Sequence, residues 1–237
     1  MKQRSVPPQQ SRLYRVISTI TRYQLSYVLQ NSRHRRLLFL FFLFSAGGTA
    51  LAILSVLASL TRLPLLFPQL GPSAFILFYT PMSEQASPRN VLLSHFMAVA
   101  IGLLCLWLMA GLFPREFLGA GFTFSWQRQV VVACSVGLIC LLMAVANCVH
   151  PPAVASALIA ALGYFETPLH LLGITSAVIL LLVWAVFFNR VIGGMPYPLW
   201  RFDAGAARNF GELAGVPARE LNFWRLAAMK GFQRRNP

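Results

Sequence analysis

Two short proline motifs stand out among the residues that could bind a ligand inside a largely apolar chain. Gly71-Pro72-Ser73-Ala74 and His150-Pro151-Pro152-Ala153 each lie within an uncharged stretch. Proline is well tolerated in the first turn of a helix, and the residue before it is held extended. Each motif therefore predicts an extended segment and then an abrupt helix start, with unpaired N–H groups and the positive end of the helix dipole. Such a start is suited to binding an anion.

Other polar side chains near these motifs could complete a binding site. They are an arginine, two amides and a histidine: Arg89, Asn90, Asn147 and His95. An ionisable group inside a membrane span is functional by default, and histidine normally titrates near neutral pH. The competing interpretations are an interhelical hydrogen bond for His95 and Asn147, a helix cap for His150, and an interfacial anchor for Arg89.

Patterns typical of enzymes and metal sites are missing from the sequence. It contains no HExxH, no GxSxG and no glycine-rich phosphate loop, and only 6 acidic residues. The 4 cysteines have no CxxC spacing, and His95 with His150 alone is a weak metal signal. We therefore predict no enzyme, no cofactor and no metal site.

The composition excludes an ordinary soluble domain. Of the 237 residues 57% are hydrophobic and 11% charged, with a mean hydropathy of +0.64, whereas about a quarter of a soluble domain is charged. Four apolar runs reach the length of about 20 residues that a spanning helix needs. They are residues 37–61, 91–114, 129–149 and 169–189.

The basic residues indicate the orientation. All but two of the 20 lysines and arginines lie in the N-terminal segment, in the connection between the second and third spans, or in the C-terminal segment, the exceptions being Arg62 and Arg89. The positive-inside rule then predicts that both termini are cytoplasmic, in a bacterial inner membrane. An organelle membrane stays open, because residues 1–36 lack acids. The net charge of +14 indicates contact with anionic lipids and not nucleic-acid binding.

These observations divide the chain into residues 1–36, a membrane domain at 37–190, and residues 191–237, with an interfacial helix at 217–231. Within the domain, Pro72 to Pro88 and Pro152 to Pro168 are equally spaced, so a shift of 80 residues aligns both pairs. The prediction is an all-α membrane protein with four transmembrane helices and two re-entrant half-helices, at about 71–80 and 152–165. It is an internal duplication of span, half-helix and span, with parallel halves.

The motifs resemble those of the HPP family of integral membrane proteins. His150-Pro151-Pro152 resembles the signature that names the family, and Gly71-Pro72-Ser73-Ala74, the stretch 83–90 and His95 resemble its other recurring pieces. Many members have two glycines where this chain has Ala153-Val154. The family includes cyanobacterial and chloroplast members implicated in nitrite transport. The resemblance therefore implies passage of a small monovalent anion, with nitrite as the first candidate.

The leading hypothesis is thus a nitrite-type transporter or channel. Backbone N–H groups at Pro72-Ser73 and Pro152-Ala153 would bind the anion near the midplane, with Ser73, Asn90 and Asn147 as side-chain donors. Arg89 would attract the ion, and His95 or His150 would supply a titratable hydrogen bond. The alternative is a membrane scaffold or sensor that acts through its tails. Four spans are few to enclose a pathway, so we also predict a homo-oligomer, a dimer.

Overall fold

The computed structural model describes residues 24–25, 33–113, 125–165 and 167–203, and every regular element in them is helical. The predicted helix at 217–231 lies outside these residues. The elements are α1 (Arg35–Thr61), α2 (Leu70–Tyr79), a 3₁₀ turn (Glu84–Ala86), α3 (Pro88–Leu112), α4 (Trp126–Val145), α5 (Ala153–Ala161), α6 (Pro168–Phe187) and a π-helical turn (Phe188–Ile192).

Four of the helices are long and apolar enough to cross a membrane, which confirms the four predicted spans. The third ends at Val145, before the predicted residue 149, because its backbone turns left-handed at Asn147, with a φ of 48°. The N–H groups of Asn147 and Cys148 donate to the carbonyls of Ala144 and Met143, at 3.3 and 3.1 Å. Asparagine tolerates this conformation, so Asn147 closes the helix.

The two remaining helices, α2 and α5, are short, with 10 and 9 residues. Prolines lie at or just before their first turns, as predicted. α5 ends at Ala161, before the predicted residue 165, because Gly163 adopts a left-handed φ of 85°. Its N–H donates to the carbonyl of Ala160 at 3.0 Å, which completes the turn.

The segment 62–79, which contains α2, runs beside α6 in the same direction. Near the start of α6, a Cβ atom placed on Gly173 would lie 2.3 Å from the carbonyl oxygen of Pro64. Near its end, Asn189 donates to the carbonyl of Leu77 at 3.0 Å. These two points are about 24 Å apart along a helix. The segment therefore passes from one end of the helix bundle to the other.

The segment 146–162, which contains α5, also runs the length of the bundle. It leaves the end of α4, and the carbonyl of Leu162 accepts a hydrogen bond from Arg128, in the first turn of α4. Near its end it packs on α3, because a Cβ atom on Gly102 would lie 2.5 Å from the Cβ of Ala160. The segment thus returns to the end of the bundle at which α4 begins.

Each short helix is therefore part of a crossing, and the predictions of re-entrant half-helices and parallel halves were wrong. An extended residue advances about 3.3 Å and a helical one about 1.5 Å, so a short helix with an extended lead covers the same depth as a long helix. The chain crosses the bundle six times in alternating directions. The segments 35–112 and 126–192 thus each pass three times along the bundle and begin at opposite ends of it, and the internal duplication stays a prediction.

The residues after α6 fold back over the beginning of α3. The buried Tyr197 hydroxyl donates to the carbonyl of Ala86 at 2.6 Å, and the N–H of Arg89 donates to the carbonyl of Trp200 at 3.0 Å. The start of α1 is at the same end, since Phe39 contacts Tyr79 with ring centroids 5.9 Å apart. This end of the bundle is called the terminal end below, because the described chain enters and leaves the bundle there.

Cysteine labelling distinguishes six crossings from the re-entrant arrangement. In a chain whose native cysteines are replaced, we expect Glu84→Cys to react with a membrane-impermeant maleimide from the same side as Arg33→Cys. Arg62→Cys should react from the opposite side. All three positions are exposed. Labelling of Glu84→Cys from the side of Arg62→Cys would contradict the six-crossing path.

Candidate functional site

Three buried side chains from different elements meet inside the bundle. The hydroxyl oxygen of Ser73 lies 3.1 Å from Nε2 of His95 and 3.0 Å from Nε2 of His150. The three residues are 0%, 3% and 0% exposed, and the two ring centroids are 5.3 Å apart. We call these residues the histidine–serine cluster. It joins the two broken crossings, because Ser73 lies on α2 and His150 just before α5.

Both imidazole rings are also fixed at their second nitrogen. Nδ1 of His150 is 2.9 Å from the carbonyl oxygen of Gln85, and Nδ1 of His95 is 2.7 Å from the hydroxyl of Ser156. A carbonyl oxygen can only accept a hydrogen bond, so Nδ1 of His150 carries a proton. The cluster is therefore a continuous hydrogen-bonded chain from α5, through α3 and α2, to the turn before α3.

The local sequence positions each member. His95 is two turns into α3, about 10 Å from its start at the terminal end. His150 precedes Pro151, which holds it in extended backbone so that its ring leaves the end of α4 and reaches the cluster. Ser94 of α3 holds the turn between α4 and α5 in place, because its hydroxyl donates to the carbonyl of Cys148. The cluster lies nearer the terminal end than the predicted midplane.

Arg89 is half-buried at the edge of the site. Its Nη1 donates to the carbonyl of Asn147 at 3.1 Å and to Oδ1 of Asn90 at 3.2 Å. The bond to Asn147 attaches the start of α3 to the turn that carries His150. The attraction of an ion by Arg89 stays a prediction. The structure adds a second role, because Arg89 contacts the turn that positions His150.

The other predicted site residues divide by burial. Those that are buried are Ala74, Asn90, Pro152 and Ala153, Gly71 is half-buried, and Pro72, Asn147 and Pro151 are exposed. A Cβ atom on Gly71 would contact nothing within 4 Å. The structure thus brings together Ser73, His95 and His150, keeps Asn90 and Arg89 in the first turn of α3, and leaves the three exposed residues outside the cluster.

Backbone N–H groups at the two short helices are already engaged. In the first turns, they donate to carbonyls three residues earlier: Leu70 to Phe67, Gly71 to Pro68, Ala153 to His150 and Val154 to Pro151, at 3.0, 3.3, 3.0 and 3.0 Å. A ligand would therefore meet side chains here before it met the main chain.

Gln69 is a residue that the sequence reasoning missed. It is 1% exposed, precedes Ser73 by one turn, and its carbonyl contacts the Ser73 hydroxyl at 2.9 Å. Neither atom of its side-chain amide has a hydrogen-bond partner, and Nδ2 of buried Asn90 has none either. Buried polar groups are normally paired, so these amides are available to a polar ligand. Gln69 is the single amide side chain in the apolar stretch 63–83, which was the available signal.

A largely apolar cavity of about 440 Å³ lies between α3 and α6 and has His95 in its wall. Its other lining residues include Phe96, Val99 and Ile174, with Thr175 as a polar exception. The cluster therefore borders the cavity on the side of His95. On the side of His150 it meets the exposed turn at Gln85.

Metal ligands do not gather in the part of the chain that the structure describes. No group of three histidine, cysteine, aspartate or glutamate residues lies together there. The four cysteines are free thiols, at positions 105, 134, 140 and 148.

Comparison with known proteins agrees with the motifs. Residues 32–198 match the family described as HPP, transmembrane region. The chain is 28% identical over 147 residues to a transmembrane protein of Dictyostelium discoideum, in an alignment that covers 59% of this chain and 46% of the relative. The chain thus spans about half the length of that curated relative. No solved structure matches it. Because the family match covers well over half of the sequence, the chain belongs to the HPP transmembrane family.

Proposed function

We propose that this protein carries a small monovalent anion, with nitrite as the first candidate, across the membrane through the histidine–serine cluster. The observation that carries the proposal is that a buried polar cluster joins the two broken crossings. Non-helical backbone at membrane depth persists where protein or a water-filled cavity satisfies it. Discontinuous helices related by an inverted repeat also form the substrate sites of many transporters.

The proposed duplication is supported by the way the elements pack. α2 contacts α1 of its own half and α6 of the other half, and α5 contacts α4 of its own half and α3 of the other half. Exchange of the two halves therefore reproduces the same set of neighbours. The site would then lie at the interface of two inverted units, each with one broken crossing.

The side chains around the cluster can bind an anion by donating hydrogen bonds. Ser73 offers a hydroxyl, Asn90 and Gln69 offer amide N–H groups without partners, and His95 and His150 offer ring N–H groups. Arg89 would attract the ion from the terminal end. Gly71, Pro72 and Ala74 on one side, and Pro151, Pro152 and Ala153 on the other, would shape the passage, with Asn147 at its exposed edge.

The six crossings keep the proposed cytoplasmic side of both tails and change the side of three basic residues, because Arg89 joins that side and Arg115 and Arg128 leave it. All but three of the 20 basic residues now belong to the terminal end or its tails, the exceptions being Arg62, Arg115 and Arg128. The positive-inside rule then places that end in the cytoplasm of a bacterial inner membrane, with Arg89 on the cytoplasmic side. We further propose that the protein acts as a homodimer.

Flux measurements on the full chain in proteoliposomes test this proposal. We expect nitrite uptake to saturate with concentration and to exceed that of protein-free liposomes at neutral pH. Nitrate and formate, which share its charge and approximate size, should compete, and sulfate should not. Uptake equal to that of protein-free liposomes for every anion would overturn the proposal.

A further inference from the structure

The contacts of the Ser73 hydroxyl require more protons than a neutral cluster has. Its oxygen lies 2.9 Å from the carbonyl oxygen of Gln69, and 3.1 and 3.0 Å from Nε2 of His95 and His150. A serine hydroxyl has one proton and two acceptor lone pairs. When the hydroxyl donates that proton to Gln69, both Nε2 atoms donate to Ser73. Because the N–H of Ser73 also donates to the Gln69 carbonyl, at 3.2 Å, the hydroxyl proton can instead turn to a ring nitrogen.

The first of these two proton arrangements makes His150 a cation. Nε2–H on His95 leaves Nδ1 free to accept from Ser156, so His95 is neutral with every contact satisfied. His150 already carries a proton on Nδ1, which faces the Gln85 carbonyl. A second proton on its Nε2 produces an imidazolium. If His150 is neutral, the Ser73 proton turns to its Nε2, and the oxygens of Ser73 and Gln69 face each other without a proton.

A buried imidazolium needs a counter-charge, since an uncompensated buried ion costs several kcal/mol. The side chains from α2 and α5 that contact the two rings are uncharged: Ser73 contacts both, and Ser156 contacts His95. On α3, Ser94 and His95 are neutral, and the charged Arg89 in its first turn is itself a cation. Glu84, in the turn that carries Gln85, is exposed. The described chain therefore supplies no buried anion at this site.

We propose that His150 takes up one proton together with each transported anion, so that anion and proton cross together without net charge. This inference rests on the proposed function and specifies its coupling. On one side, a proton from water binds Nε2 of His150, and the Ser73 proton turns to Gln69. On the other, the proton returns to water with the anion, and Ser73 turns back. Because the two ligands bind to one site with opposite charge, each raises the affinity for the other.

The test measures driving force and stoichiometry in proteoliposomes that contain the full chain. We expect an inward proton gradient to drive nitrite accumulation, and a potassium diffusion potential set with valinomycin to leave it unchanged. An internal pH dye should report one proton taken up per nitrite. Protein-free liposomes correct for diffusion of nitrous acid. Uptake driven by the potential without proton entry would overturn the coupling and leave the proposed function standing, whereas absence of any anion flux would overturn both.

Two histidine variants locate the coupling site. Glutamine keeps a polar side chain but cannot take up the proton, so His150→Gln should lose accumulation driven by the proton gradient by about tenfold or more, a loss of about 1.4 kcal/mol. His170→Gln is the matched control, because His170 lies at the start of α6 and contacts Thr167 at 2.9 Å. Equal gradient-driven accumulation in both variants would overturn the role of His150. The stoichiometry of the unmodified chain decides the coupling even if His150→Gln does not fold.

Discussion

Replacement of Ser73 with alanine is expected to reduce anion flux by at least about tenfold and to lower the stability of the fold as well. The hydroxyl is the shared partner of His95 and His150, and its loss leaves two buried ring nitrogens without a hydrogen bond. Each buried group left unpaired costs about 1–3 kcal/mol, and about 1.4 kcal/mol is a factor of ten. Initial rates of nitrite uptake by proteoliposomes with equal protein content measure the effect.

Ser135→Ala is the matched control for this variant. Ser135 is also 0% exposed on a helix and donates to the carbonyl four residues earlier, Val131, at 2.7 Å, but it lies on α4 away from the cluster. We expect its flux to stay near that of the unmodified protein. The flux of Ser156→Ala should lie between those of the two other variants, because this change removes one contact of His95 at the end of the hydrogen-bonded chain of the cluster. Equal flux from Ser73→Ala and Ser135→Ala would exclude the cluster from the pathway.

The number of long helices was predictable from the sequence, and the path of the short ones was not. Four runs of apolar residues bounded by charge set the spans, because the bilayer requires about 20 such residues per helix. The extended lead before each short helix was predicted, but not that lead and helix together pass along the whole bundle, which the contacts of Pro64 and Leu77 beside α6 indicate. Whether a half has two or three crossings depends on whether its short helix and lead pass along the whole bundle. The prediction of parallel halves was therefore a consequence of counting only two crossings in each half.

The centre of the site was predictable because its residues are polar where the chain is apolar and broken. Ser73, His95 and His150 were all predicted, and the structure brings them together. Ser94 and Ser156 could not be identified in the same way, since a serine on an apolar helix is usually satisfied by its own backbone. Their roles depend on which faces of α3 and α5 meet, and that is a tertiary property. Asn147 is the opposite case: it was predicted as a site residue because it is polar, but in the structure it closes the end of α4.

Replacement of Gly102 with valine is expected to destabilise the protein by at least about 2 kcal/mol, within the range for overpacked cores. A Cβ atom at this position would lie 2.5 Å from the carbonyl oxygen of Ala157 and 2.5 Å from the Cβ of Ala160. Neither atom can move without α5, because one is backbone and the other is fixed to it. Close approach of small residues is also the usual basis of helix association in membranes. Thermal unfolding in detergent measures the loss.

Gly137→Val is the control that separates this contact from the general effect of valine in a helix. Gly137 is in the middle of α4, and a Cβ atom there would meet nothing within 4 Å. The free energy of unfolding of the Gly137→Val variant should change by less than about 0.5 kcal/mol, as for an exposed site. Displacement of α5 by Gly102→Val would also lengthen the 2.7 Å contact between His95 and Ser156, so nitrite flux should fall in the folded fraction. Equal loss of stability in the two variants would show that α3 and α5 do not pack at Gly102.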